Sequence, residues 1–293
     1  MRAWVAVGIG VLGISLAAPI GAATAAPALA VAFWRSAAGA VATAPMVMVG
    51  RRRAGLRGLD GRGWAGCLGS GALLAVHFAL WLPSLRLTSV MASTALVATT
   101  PVWTVLAAAG VGRRVGVRVP AGAWAGVGLA LAGVLVVTGV DAGHGVAGLT
   151  GDLLALAGGM ASAGYVLVGE RVRRTTSTAV YTLVAYATCA VLLLPVCLLL
   201  RTPLAGWGPR TWVELGVLTV SAQLLGHSLL NAALPVAGAT PVSLAILLEV
   251  PGAAVVAWLW LGSVPPVTVL PGAVLVLAGL VAVTRSRSRS RPR

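Results

Sequence analysis

Ten stretches of about 20 apolar residues follow one another with little between them. They are Val5–Ala22, Ala28–Val49, Trp64–Ser84, Thr88–Gly110, Ala121–Val140, Gly151–Gly169, Ala179–Leu200, Val213–Leu234, Ala239–Leu261 and Val267–Thr284. A run of this length is what a helix needs to cross hydrocarbon, where lipid offers no partner for the backbone N–H and C=O groups. The connections are too short to hold a soluble domain. Composition agrees: 59% of the residues are apolar and only 9% are charged, against about 25% charged in a soluble domain. Too few polar groups remain to cover a water-facing surface. A soluble enzyme, a disordered chain and a secreted disulfide scaffold are thereby excluded. Cys67, Cys189 and Cys197 all lie in apolar runs, and none has metal-ligand spacing, so neither a metal site nor a cofactor is expected. The expected fold is an all-α integral membrane bundle of ten transmembrane helices.

The basic residues orient the bundle. All 21 are Arg. With the gaps numbered alternately from an inside N-terminus, 17 of them fall inside, including Arg51–Arg53, Arg113, Arg114, Arg118, Arg171, Arg173, Arg174 and the tail. Only Arg86, Arg201 and Arg210 fall outside, and Arg35 lies within a span. Basic residues stay on the cytoplasmic side, so both termini are expected in the cytoplasm. The same bias accounts for the net charge of +15 without nucleic acid as a partner. The tail 285–293, RSRSRSRPR, reads as a polybasic anchor to anionic lipid headgroups rather than an RNA-binding segment. Arg2 and the apolar stretch that ends at Ala26 also have the form of a cleaved leader, but an even number of spans favours a retained helix. The wealth of Ala, Gly and Arg and the lack of Lys point to a GC-rich bacterial genome, and hence to the bacterial inner membrane as the cell membrane concerned.

The two halves resemble each other at an offset of 150 residues: Pro45 with Pro195, His77 with His227, Ser93 with Ser243, Pro101 with Pro251 and Gly112 with Gly262. Trp64–Gly112 and Glu214–Gly262 share 12 identities in 49 positions, where this composition gives about one in ten by chance. Further on, Ala132–Thr138 meets Ala278–Thr284. The halves are residues 1–143 and 144–284, each with five spans. Five is odd, so the second half enters the membrane from the opposite face. Two inverted five-helix repeats are an architecture of secondary transporters.

The stretch HFALWLPSLRLTSVMASTALVATTPVW (His77–Trp103) resembles the third and fourth helices of the EamA-type transporters in the drug/metabolite transporter superfamily. Gly226–Gly262 is similar to their helices eight and nine, and Trp34–Arg35 fits helix two. The resemblance implies a ten-helix exporter of small metabolites, often amino acids or related polar compounds. The chain departs from the family where a Gly–Glu pair often follows helices four and nine: here stand Gly112–Arg113 and Gly262–Ser263. No role that depends on those carboxylates carries over.

An ionisable group in mid-membrane costs several kcal/mol and usually marks function. Glu249 lies near the middle of its run. Pro251, two residues on, withholds a backbone bond from residue 247 and so leaves a free carbonyl. The repeat mates Thr99, Thr100 and Pro101 lie at a similar depth in their own run. A carboxylate, two hydroxyls and two proline-loosened backbones together make a candidate midplane site. His77 and His227 sit roughly 4–5 Å to either side of the midplane. Gln223, His227 and Asn231 fall at i, i+4 and i+8 as one polar stripe facing a cavity, while Leu73, His77 and Trp81 form a more apolar wall. Arg35 can snorkel to the outer interface, pair with Glu249 or hold a substrate carboxylate. Tyr165, Tyr181 and Tyr186 can line the path or anchor at an interface. Gly126, Gly128 and Gly133 read as close helix packing, and Glu170 with its neighbouring Arg residues as a solvated cytoplasmic cluster.

The pattern is that of a secondary transporter that moves a small polar metabolite outward. Without Lys there is no Walker A motif, so ATP does not drive it within this chain. The proton gradient is the expected source, with Glu249 as carrier. An intramembrane lipid-modifying enzyme or a non-transporting membrane subunit are the alternatives. The first is disfavoured because the interfacial charges are nearly all Arg and read as topology signals.

Overall fold

The computed structural model describes residues 2–115, 120–142, 145–237, 245–262, 264 and 267–289. Arg118, Ser243, Ser263, Arg291, Arg293 and the Ala239 start of the ninth run lie outside them. Among the described residues all regular structure is helical. The helices are α1 (Arg2–Ser15), α2 (Ala17–Ala23), α3 (Ala28–Val47), α4 (Gly50–Arg57), α5 (Gly61–Ser84), α6 (Val90–Val97) and α7 (Thr100–Val115). There follow α8 (Ala121–Ala142), α9 (Val146–Val172), α10 (Thr178–Leu199), α11 (Pro209–Leu218), a π-helical segment (Thr219–His227), α12 (Ser228–Ala237), α13 (Glu249–Leu261) and α14 (Leu270–Arg289).

Among the described residues six helical stretches are long and apolar enough to cross a membrane: Trp4–Ala23, Gly61–Ser84, Val90–Ala107, Val146–Val172, Thr178–Leu199 and Pro209–Ala233. Ala121–Val136, Glu249–Leu261 and Leu270–Ala282 are apolar but shorter. Large apolar side chains such as Val41, Leu135, Leu199 and Leu259 are exposed on the outside of the bundle. Leucine and valine facing outward suit hydrocarbon as the surrounding solvent.

Helix termini and interruptions follow from local chemistry. Asp60 caps α5 by accepting a bond from the Gly63 N–H at 2.7 Å, and Ser177 caps α10 through the Val180 N–H. The Arg51–Arg53 and Arg57 cluster forms the short helix α4 with every Arg exposed. The run that begins at Thr88 is interrupted at Ala98–Thr99, three residues or fewer before Pro101. That proline cannot donate to the Val97 carbonyl, which accepts the Thr100 hydroxyl instead at 3.1 Å. The mate run is interrupted at Leu247–Leu248 before Pro251. Here the expected free carbonyl at residue 247 does not occur: Leu247 O accepts the Val250 N–H at 3.3 Å. A tighter three-residue turn takes up the acceptor that the proline leaves unmet.

The helices pair as the repeat offset requires. α5 packs on α9, as α1 packs on the π-helical segment and α12; α8 packs on α14, and α3 on α10. The α8–α14 contact is reciprocal. A Cβ on Gly133 would lie 2.5 Å from Val276 N, and one on its mate Gly279 would lie 2.4 Å from Ala130 N. Backbone touches backbone at both, as the packing reading of Gly133 requires, whereas Gly128 has nothing within 4 Å. The first helix is part of this packing: Val7, Val11 and Ile14 are buried with Leu230 and Ala233.

Candidate functional site

A cavity of about 940 Å³ of empty space, part of it open to the surroundings, lies where the two interrupted runs meet α1, α2, α5, α9 and α12. The interruptions themselves form wall: Val97, Ala98, Thr100 and Pro101 on one side, Ile246, Leu247 and Glu249 on the other. His77 and Trp81 come from α5, Tyr165 and Ser162 from α9, His227 and Asn231 from the mate span. Most of the remaining wall is apolar, including Ile14, Ala17, Val166 and Leu230. A small number of polar groups in an apolar surround is the usual make-up of a small-molecule site.

Hydrogen bonds and ring contacts position several of these polar groups. His77 Nδ1 and the Gly158 carbonyl are 3.0 Å apart, so Nδ1 carries the proton of that bond. The His77 ring stacks on Trp81 with centroids 5.5 Å apart and planes 9° from parallel. Asn231 Nδ2 donates to the Tyr165 hydroxyl at 2.8 Å. Tyr165 and His227 meet edge to face at 6.4 Å. The Thr100 hydroxyl also reaches the Gly159 carbonyl at 3.3 Å, tying the interruption before Pro101 to α9.

Eight sequence candidates therefore share one cavity: Glu249, His77, His227, Trp81, Asn231, Thr100, Tyr165 and Pro101. Four do not line it. Thr99 is turned into the protein, donating to Leu96 O at 2.6 Å and accepting from Trp103 Nε1 at 3.1 Å. Pro251 is exposed on the outer surface of its helix, whereas its mate Pro101 is buried. Gln223 leaves the stripe expected with His227 and Asn231, because the backbone between them is π-helical. A π turn bonds i to i+5, so residues four apart no longer stack. The Gln223 carbonyl accepts from the Ser228 N–H and from the Ser228 hydroxyl at 3.2 Å. Arg35 does not snorkel: it is fully buried, with Nε donating to Gln223 Oε1 at 2.9 Å. Nor does an ion pair join it to Glu249 among the described residues. Tyr181 and Tyr186 are buried between helices, at neither the cavity nor an interface.

Two polar features at or near the cavity escaped the sequence. Ser162 lies one turn before Tyr165 on the small-residue face of α9, a spacing that was readable but hidden among Gly and Ala. Arg173 belongs to a cluster that reads as solvated. Glu170 and Arg174 fit that reading, pairing at 3.7 Å. Arg173 instead is half-buried; Nε donates to Asn231 O at 3.5 Å, and the Nη atoms bond Thr176 O and the Thr178 hydroxyl. Desolvation pushes its pKa below the ordinary arginine value. It ties the ends of α9, α10 and α12 together beneath Asn231.

A family model described as the EamA-like transporter family matches residues 2–139 and 149–285. No curated protein matches the chain. Among solved structures, one titled only as the crystal structure of a protein has the same fold. Its TM-score is 0.63 at 20% identity, covering 98% of this chain and 99% of that one.

Proposed function

The chain belongs to the EamA-like transporter family, and from that premise we propose that it is a secondary exporter of small polar metabolites, amino acids or related compounds among them. It is a multi-pass membrane protein. The proposed arrangement is ten spans in two inverted repeats, residues 1–143 and 144–284, in the bacterial inner membrane. Both termini are cytoplasmic, and the tail 285–293 lies against anionic headgroups. Substrate enters the cavity walled by the two interrupted runs, and the halves rearrange around it. Glu249 carries the coupling proton; His77, His227, Asn231, Tyr165, Trp81 and Thr100 contact the substrate.

One observation carries the reading: Glu249 shares a cavity with both repeat-related histidines, and the cavity wall includes both helix interruptions. Inside a membrane, backbone that departs from regular helix is tolerated where it lines a cavity. In this reading the cavity binds and releases its substrate rather than breaking bonds. Reconstitution into liposomes with a panel of radiolabelled polar metabolites tests this. Protein-dependent flux of at least one compound, increased by an imposed pH gradient, is expected. Folded, inserted protein that moves none of them would overturn it.

A further inference from the structure

Behind the cavity wall lies a second polar group that the transport reading leaves unused. Arg35 and Gln223 are both 0% exposed. Beyond the bond from Arg35 Nε to Gln223 Oε1, Arg35 Nη1 and Nη2 and Gln223 Nε2 have no hydrogen-bond partner among the described residues. The amide orientation follows from chemistry. Arginine has only donors, so the Gln223 oxygen faces it and the amide NH₂ is turned away. All three free atoms are therefore donors, one group of them bears a full charge, and none meets an acceptor. Buried polar atoms are nearly always bonded, and an unpaired buried charge is strongly destabilising.

The surroundings hold this arrangement open. Gly39 makes room for Gln223: a Cβ there would lie 2.9 Å from Gln223 Cγ and 3.2 Å from Tyr186 Cδ2. The Tyr186 hydroxyl donates to the Gln223 carbonyl at 3.1 Å, fixing the π-helical backbone beside it. The guanidinium rests on the Phe78 ring, 4.1 Å from its centroid. Phe78 in turn touches His77, at 5.0 Å between centroids, and His227, at 5.8 Å. Both histidines line the cavity. One aromatic ring thus separates the unpaired donors from the substrate space.

We propose that Arg35 and Gln223 form a binding site for a carboxylate carried by the transported metabolite, reached from the cavity when the Phe78 ring turns aside. It rests on the transport reading and narrows its substrate class. A carboxylate supplies two acceptor oxygens to the two Nη atoms in the fork geometry that arginine favours, and the Gln223 amide adds a third donor. A neutral amide or alcohol would leave the charge uncompensated.

The test pairs each small acid with the counterpart that lacks its carboxylates: lactate, succinate, alanine and glutamate against their full primary amides. Binding is read as the rise in unfolding temperature of the protein in nanodiscs, and transport as uptake into liposomes. At least one acid should stabilise the wild-type protein and compete for transport while its amide does neither. Gln223→Leu should raise KM for that acid about tenfold or more, as expected for a lost bond to a charged group, with kcat retained. Gly39→Ala, which crowds Gln223, should act in the same direction. Arg35→Gln should abolish the stabilisation; if that variant does not fold, the wild-type contrast between acid and amide still decides. Acids that stabilise the protein without flux would uphold this site and remove the transport reading. Amides that bind and move as well as the acids, or a panel in which no acid stabilises the protein, would overturn the carboxylate site.

Discussion

Helix α5 and the span built from α11, the π-helical segment and α12 occupy equivalent places in the two halves, yet they are wound differently. α5 is regular α-helix from Gly61 to Ser84. Its mate opens into nine residues of π-helix, Thr219–His227. Both deliver their histidine to the cavity. The wide turn changes what lies beneath: Gln223 swings out of the cavity stripe and meets Arg35. The facing helix leaves room for the wide turn. A Cβ on Gly13 of α1 would lie 2.3 Å from the Ser221 carbonyl, and one on Gly226 would lie 2.6 Å from Ile14 Cγ2. The bulged backbone is seated against glycine, so the first helix and the wide turn fit one another. The repeat thus preserves the histidines that face the cavity, while local helix type lets the two halves differ one layer deeper.

The largest effect concerns orientation. If the halves are inverted, an alkaline phosphatase fused between α8 and α9 should be active and one at the C-terminus inactive, with a fluorescent protein fusion at the C-terminus bright. Equal activity at both positions would break the inverted comparison.

Next comes the seat of the wide turn. Gly13→Val drives a side chain into the Ser221 carbonyl, where only backbone can yield. A loss of about 3 kcal/mol or more is expected, read as collapse of the monodisperse peak on size exclusion. Gly8→Val on the same helix has nothing within 4 Å and should be tolerated. Equal tolerance of both changes would detach the π-helical segment from α1.

The histidines sharpen the comparison at the cavity. His77→Ala and His227→Ala should each reduce transport about tenfold or more, as the loss of a positioned polar contact does. They should differ in stability. His77 loses its bond to the Gly158 carbonyl, worth about 1 kcal/mol; His227 has no such bond among the described residues. Thermal unfolding in detergent checks the difference, and unchanged transport in the double variant would reduce both to packing. The smallest effect is that of Ser228→Ala. It removes the hydroxyl that donates to the Gln223 carbonyl at 3.2 Å and lies 3.0 Å from the Tyr186 hydroxyl. It should cost about 0.5–1.5 kcal/mol, with KM for an acid substrate rising slightly through Gln223.

Much of this was legible in the sequence because lipid imposes simple rules. Runs of apolar residues, prolines in mid-run and the offset of 150 led to the helices, to both interruptions and to eight cavity residues. The reading failed where packing overrides periodicity. Gln223, His227 and Asn231 form a stripe only on an α-helix, and nothing in TVSAQLLGH itself signals a π turn; Gly13, some 200 residues away, permits it. Arg35 in an apolar run offers snorkelling and burial alike, and only the neighbours Gln223 and Phe78 decide. Arg173 looked like its neighbours Arg171 and Arg174, although its place at the end of α9 brings it beneath Asn231.

The central claim is that the cavity between the interrupted runs is a proton-coupled transport site, and Glu249→Gln tests it most directly. The substitution keeps the shape of the side chain but cannot take up or release a proton. In inverted vesicles with an imposed pH gradient, the wild-type protein should accumulate substrate. Glu249→Gln should lose uphill accumulation and all dependence on the gradient while retaining substrate exchange. Accumulation by Glu249→Gln at the wild-type level, with its pH dependence intact, would contradict the claim.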